Sequence, residues 1–380
     1  MHVTIDYTPA VKQRAGIGRY TRELVRALVK ADPPYRLTLF VAGKPRAKSS
    51  ELPPGVRLCT TPLSARHMTI LWQRLRFPLP ADWVARPTNL WHATDFTLPP
   101  LRRAQAVLTI HDLSFLRVPE CADPGLQAYL SETVPRSVSR ADLILADSEN
   151  TKQDIVELLD VSPDRIRVVY AGVGEQFAPV EHEGQRQVVA RRYGLNLPFI
   201  LSVGTLEPRK NYPRLIAAYA RLRAETDLPH KLVIVGSRGW LYQAIFAQVQ
   251  RSNLLRDVIF PGFVADTDLP TVYSMADAFV FPSLYEGFGI PPLEAMACGT
   301  PVVCANNSSL PEAVGDAALL FNAEDEQALA NTMVRILTDQ ALRERLRQRG
   351  FIRARKFTWQ KAAQQLLSAY DEVNNQTSPG

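Results

Sequence analysis

Short blocks of consecutive apolar residues alternate along this chain with longer blocks in which apolar positions return every three or four residues. The short blocks predict strands at 2–7, 37–41, 56–60, 89–92, 106–110, 142–145 and 166–170, then again at 198–204, 231–236, 257–262, 278–283, 301–305 and 317–321. The longer blocks predict helices, notably at 17–30, 125–140 and 149–159, and a helical tail from 325 onward that ends in an amphipathic helix around Trp359. Strands interleaved with helices of this kind indicate parallel, doubly wound sheets. The alternation stops once, at AGVGEQFAPVEHEGQRQ (171–187), which reads as a linker. The expected fold is therefore α/β. Two Rossmann-like domains would leave a cleft between the carboxyl ends of both sheets, where ligands of such sheets bind.

One segment carries more than a fold. In FPSLYEGFGIPPLEAMACGTPVV (281–303), Glu286 precedes a Gly-Phe-Gly turn, two prolines follow, and Glu294 comes before the closing Gly299. Proline in the first helical turn and glycine just past the last punctuate one short helix. The segment thus predicts strand, glycine turn, helix, glycine stop and strand. A helix N-terminus directed at such a turn favours an anion, which is a phosphate site in outline.

Composition narrows the class without naming it. The 380 residues are 46% hydrophobic and 22% charged, as in a folded enzyme of two ordinary domains. No uncharged apolar run approaches the roughly 18 residues of a membrane helix, and MHVTIDYT enters a strand pattern at once, so no secretory leader is expected. Cys59, Cys121, Cys298 and Cys304 make no CxxC pair, which fits reduced thiols in a cytoplasmic protein. The net charge of +6 is uneven: residues 1–86 hold 15 Lys/Arg against 5 Asp/Glu, an excess of +10. That excess suggests an acidic partner such as an anionic membrane surface. SARHMTILWQRLRFPLP (64–80) reads either as an interfacial segment or as a core helix with a solvated basic face.

Taken together, EGFGIPPLEAMACGTPVV, SVGTLEPRKN, AGIGRYTREL and TIHDLSF resemble glycosyltransferase family 4, the group 1 glycosyltransferases of GT-B fold, across nearly the whole chain. The resemblance implies an acceptor-binding domain at 1–175, a nucleotide-sugar-binding domain at 188–357, and a last helix, 358–374, that packs back toward the first domain. It implies that Glu286 faces the hydroxyls of the donor sugar and that Glu294 holds the nucleotide ribose. A carboxylate accepts two such bonds, and they are strong when buried. Phe288, Gly289 and Ile290 would bring backbone amides to the sugar and phosphate. Arg209 and Lys210, with Gly204 just before them, are implied at the donor diphosphate, where two fixed cations stabilise leaving-group charge without a metal. Gly262, Phe263 and Val264 complete the donor side. Gly16 and Gly18, in a GxG that lacks the third glycine of the dinucleotide fingerprint, would abut the diphosphate from the other domain. His111, at a strand end, is implied beside the reacting carbon. Asp112 is a candidate to orient it or to contact acceptor, and His92 is an acceptor-side candidate at another strand end.

Asp266-Thr267-Asp268 has the form of a metal-binding DxD, yet it opens a helix. It reads as an N-cap, with no metal and no cofactor expected. The GIGRY…GTLEPRKN variety resembles mannosyltransferases of polysaccharide assembly. The expectation is thus a retaining, metal-independent transfer of a hexosyl group, with GDP-mannose as donor and a glycan or lipid-linked acceptor. The protein would be cytoplasmic, at the inner face of the membrane if peripheral, and would bind no nucleic acid. The rivals are a GT-B sugar-nucleotide epimerase, a pyridoxal-dependent GT-B phosphorylase, and a non-catalytic protein that binds sugar nucleotides or nucleic acid.

Overall fold

A computed structural model describes residues 1–13, 16–44, 53, 55–195 and 198–375. The chain divides into two units. Unit 1 comprises Met1–Leu116, Gly125–Gly172 and the chain from Trp359; unit 2 comprises Arg117–Pro124 and Val173–Thr358.

Unit 1 holds a parallel sheet of seven strands: β1 (His2–Asp6), β2 (Arg36–Val41), β3 (Arg57–Thr60), β4 (Leu90–Ala93), β5 (Gln105–Ile110), β6 (Leu143–Ala146) and β7 (Ile166–Val168). Their spatial order is β3-β2-β1-β4-β5-β6-β7, so the direction of winding reverses between β1 and β4. Unit 2 repeats the plan with β8 (Phe199–Val203), β9 (Lys231–Val235), β10 (Val258–Gly262), β11 (Ala278–Phe281), β12 (Val302–Ala305) and β13 (Ala318–Phe321). There the order is β10-β9-β8-β11-β12-β13, reversing between β8 and β11. Strands β4, β6, β11 and β12 are buried along their whole length, which requires cover on both faces and explains the apolar blocks, interrupted only by His92 in β4. Each Val, Ile, Leu or Phe so buried stabilises the fold by roughly 1.5–3 kcal/mol.

The helices follow from their patterns. Ile17–Lys30 buries Tyr20, Thr21, Leu24, Val25 and Leu28 on one face and places Lys30 at its carboxyl end. Glu149–Leu159 starts where the Ser148 hydroxyl accepts the Thr151 amide at 3.0 Å and stops at Asp160, in the left-handed region. The last helix, Trp359–Asn375, buries Trp359, Ala362, Ala363, Leu366, Tyr370 and Val373 within unit 1. Its Tyr370 hydroxyl lies 2.7 Å from His92 Nδ1, and Gln105 Nε2 donates to the Val373 carbonyl at 2.6 Å.

Two readings change. The stretch 171–187 is not wholly linker, because a helix, Glu183–Tyr193, begins inside it. That helix buries only Val189, so it left no apolar periodicity to detect. Residues 64–80 are a short helix, Ala65–Thr69, that continues as a π-helical turn, Ile70–Arg74. Met68 and Trp72 join the core, whereas Leu75 (70% exposed) and Phe77 (52%) do not. Among the described residues no helix is long and apolar enough to cross a membrane.

Candidate active site

In a doubly wound sheet, the loops that leave two neighbouring strands in opposite directions open a crevice at the carboxyl edge. Unit 2 has that point between β8 and β11, and the loops after both strands carry its charged side chains. After β8 the chain passes Gly204, makes a single 3-10 turn at Pro208–Lys210 and enters the helix Tyr212–Glu225. After β11 it reaches Glu286, the glycine turn and the helix Ile290–Ala297.

The side chains meet. Lys210 Nζ lies 2.5 Å from one oxygen of Glu286, and Arg209 Nη1 lies 2.8 Å from the other. Arg209 also donates to the Tyr285 carbonyl at 2.7 Å and, through Nη2, to Glu207 at 2.9 Å. The Lys210 ammonium sits 5.1 Å from the centre of the Phe281 ring. Burial pushes the Glu286 carboxyl up, but Arg209 and Lys210 outweigh it and hold the pKa down to about 2. Glu286 is therefore an anion throughout the neutral range, locked between two cations. Glu207 belongs to this cluster and escaped the sequence reading; its only signal was its place two residues before Arg209.

The glycine turn is held from β12. Ser308 Oγ accepts the Glu286 amide at 3.0 Å, while the Ser309 hydroxyl donates to the Glu286 and Phe288 carbonyls at 2.8 and 2.9 Å. Gly289 caps the helix with φ at +114°, a backbone conformation that favours glycine. Phe288 packs edge-on against Phe357, and Ile290 opens the helix. Glu294 lies in that helix, 1% exposed, accepting the Tyr273 hydroxyl at 3.0 Å. Gly262 ends β10, two strands away in the sheet, followed by the half-exposed Phe263 and the buried Val264.

Asp268 does stand at the N-cap of Leu269–Met275, but its side chain caps nothing. The carboxylate instead takes Arg192 at 2.6 Å and the Tyr193 hydroxyl at 2.8 Å. The expected capping bond is thus replaced by a tie to the helix Glu183–Tyr193, the one that sequence periodicity missed. Among the described residues, no three His, Cys, Asp or Glu side chains converge as a metal site.

In unit 1, His111 follows β5 directly. Nδ1 lies 2.8 Å from Asp147, just past β6, and Nε2 lies 2.8 Å from the Thr94 carbonyl, just past β4. Burial disfavours its charge, but the Asp147 carboxylate and hydrogen bond, the Asp95 carboxylate and the Thr94 carbonyl prevail, raising its pKa to about 9. His111 is then an imidazolium donating from both nitrogens. Asp147, not Asp112, orients it; Asp112 accepts the Ser114 amide at 2.9 Å. His92 is fully buried, with Nε2 2.8 Å from Thr109 and Nδ1 on Tyr370, so neither ring nitrogen faces an acceptor. Burial and the neighbouring His111 lower its pKa to about 3. Gly16 caps the helix Ile17–Lys30. At Gly18 a Cβ would stand 2.1 Å from the Gln13 carbonyl oxygen, so this helix starts tight against the preceding chain. All four cysteines are free thiols.

Fixed cations, an anionic carboxylate and a helix N-terminus at one sheet edge suit a ligand that carries both phosphate and hydroxyls. Comparison with known proteins gives the family. Residues 189–353 match the family model described as glycosyl transferases group 1, and residues 14–177 match that described as glycosyltransferase family 4. The chain is 35% identical to O-antigen chain mannosyltransferase B of Escherichia coli, over 97% of this chain and 99% of that one. It is 28% identical to a D-inositol 3-phosphate glycosyltransferase of Salinispora arenicola, over 97% of this chain and 81% of that one. Among solved structures, sucrose-phosphate synthase of Thermosynechococcus elongatus superposes with a TM-score of 0.79 at 23% identity, over 99% of this chain and 100% of that one. The shared fold is GT-B.

Proposed function

This chain belongs to glycosyltransferase family 4, the group 1 glycosyltransferases, and from that premise we propose that it moves a mannosyl group from GDP-mannose to a glycan or lipid-linked acceptor, with retention and without a metal. The observation that carries the reading is the Arg209–Glu286–Lys210 cluster at the switch point of unit 2. In the proposed step the bond from the sugar's anomeric carbon to the β-phosphate oxygen breaks, and the acceptor oxygen bonds to that carbon on the same face. The acceptor proton passes to the leaving phosphate. Arg209 and Lys210 meet the charge that develops on the diphosphate, and being largely buried they count for more than in water. Glu286 retains lone pairs beyond its two ion-pair contacts and accepts from sugar hydroxyls. Glu294 holds the ribose. The mannosyl assignment is supported by the 35% identical relative, whose name carries that activity.

Calorimetry with GDP, UDP and ADP in EDTA tests the donor site. The expected result is micromolar binding of GDP, lost in Glu294→Ala and Lys210→Ala. Binding that appears only when Mg²⁺ is added would end the metal-free reading. A cytoplasmic protein touching the inner membrane face is proposed from the +10 excess in residues 1–86 and from exposed Leu75 and Phe77 next to Arg74 and Arg76. Failure to float with anionic liposomes at low salt would remove that contact.

A further inference from the structure

The His111 ring is boxed in. Asp147 and the Thr94 carbonyl hold its two nitrogens, and two aromatic rings stand edge-on to it: Tyr20 at 4.9 Å and 82°, Phe96 at 5.7 Å and 74°. Phe96 offers only carbon. Tyr20 carries a hydroxyl, and the proposed step gives that hydroxyl no task. Tyr20 lies on the helix that Gly16 caps, is 3% exposed, and also meets the Trp359 ring edge-on at 5.6 Å. Ring packing of this kind asks only for phenylalanine. A buried phenol hydroxyl needs a further reason.

The reason lies one group away. Asp147 gives Oδ2 to His111, while its Oδ1 is buried and makes no hydrogen bond to any described residue. The Tyr20 hydroxyl is buried in the same condition. Buried polar atoms left unpaired carry their full desolvation cost, so each calls for a partner. These two are neighbours. Burial and then the Asp147 carboxylate push the Tyr20 hydroxyl well above its ordinary pKa. Burial raises Asp147 as well, opposed by His111 and by hydrogen bonding with Tyr20. One atom has a proton to give and the other has free lone pairs.

We infer that Tyr20 is a positioning residue for His111 and acts through Asp147: its hydroxyl donates to the second carboxylate oxygen, so that the carboxylate is held at both ends and keeps the His111 Nδ1–H in one direction. The link joins the Gly16–Gly18 turn, at the head of the Tyr20 helix, to the ends of β5 and β6, which His111 and Asp147 follow. The inference rests on the glycosyl-transfer reading and deepens it.

Removing the hydroxyl has a definite sign. Its proton stabilises the Asp147 carboxylate most when His111 is neutral and no longer shares it. Tyr20→Phe therefore disfavours neutral His111, whose pKa rises. The other groups acting on this network are untouched by the substitution. Asp95 favours the imidazolium, Asp112 acts on Asp147, and Tyr370 acts on Tyr20. His92, its pKa lowered to about 3, stays neutral.

The full chain, isotopically labelled in its six histidines, is titrated by NMR, and the imidazole signal missing from His111→Asn identifies His111. In Tyr20→Phe the His111 titration is expected to move up by roughly half a pH unit or more. The upper limb of the kcat profile should move with it and kcat should fall several-fold, with donor KM within about twofold of wild type. In Asp147→Asn, adding Tyr20→Phe should change neither the His111 titration nor kcat any further. Unchanged GDP affinity and far-ultraviolet circular dichroism control for folding. No shift of the His111 titration, or an equal effect of Tyr20→Phe with and without Asp147, would overturn the inference. So would a fall in kcat with the pH limb unmoved, which marks a packing defect. Turnover separates the two levels. A His111 shift in a protein that transfers no sugar removes the glycosyl-transfer reading and leaves the Tyr20–Asp147 link; transfer without the shift removes the link and leaves the reading.

Discussion

Replacing Lys210 with methionine is expected to lower kcat by about 10²–10³-fold, the usual loss when one preorganised group at a developing charge is removed. Methionine keeps most of the volume beside Phe281 and deletes the charge. The charge on a leaving diphosphate grows toward the transition state, so kcat should fall more than donor affinity does. Glu286 would lose one of the two cations that hold its pKa down to about 2, though Arg209 remains at 2.8 Å. Removing one member of a buried pair costs about 3–5 kcal/mol when nothing else compensates; the surviving Arg209 should keep the loss below that. Kinetics and urea midpoints measured together separate the two effects. A stable variant with unaltered kcat would make the cluster a structural clamp and nothing more.

The second large effect concerns pH. His111 has a folded pKa of about 9 against an ordinary 6.5, so the folded protein binds that proton more tightly than the unfolded chain. Its stabilising contribution is complete below pH 6.5 and fades as pH rises through 9. At about 1.4 kcal/mol per pKa unit, the loss across that window is roughly 3 kcal/mol. Urea unfolding at pH 6, 7.5 and 9 should show it, followed by far-ultraviolet circular dichroism. His111→Asn should be less stable at pH 6 and lose less stability than wild type across the same range. Parallel slopes for wild type and variant would show that the imidazolium is not the source.

These two sites differ in how far the sequence disclosed them. Strand positions were legible because blocks such as VVCA and KLVIV admit little else in a parallel sheet. Glu286, Arg209 and Lys210 were singled out through the family resemblance, each after a strand and before a helix. Their pairing was not legible, since it depends on β8 lying beside β11, where Ile200 pairs with Ala278, far along the chain. Asp147 was hidden in the same way. Ile110 pairs with Ala146 across β5 and β6, so the next residue on each strand, His111 and Asp147, must emerge side by side. Strand order supplies that contact, and no local pattern encodes strand order. The helix Glu183–Tyr193 was missed for the opposite reason: it buries too little apolar surface to write a period.

The last helix has a consequence for how the protein is made. His92 and Gln105 of unit 1 are made well before their partners: His92 bonds to Tyr370, 278 positions later, and Gln105 to Val373, 268 positions later. At about 5–20 residues per second, synthesis leaves that unit incomplete for roughly 14–56 s. During that interval unit 2, whose residues run to Thr358, is translated in full. The sheet that holds His92 is thus completed only after the sheet of unit 2 has been made, and His92 waits for its tyrosine throughout that interval.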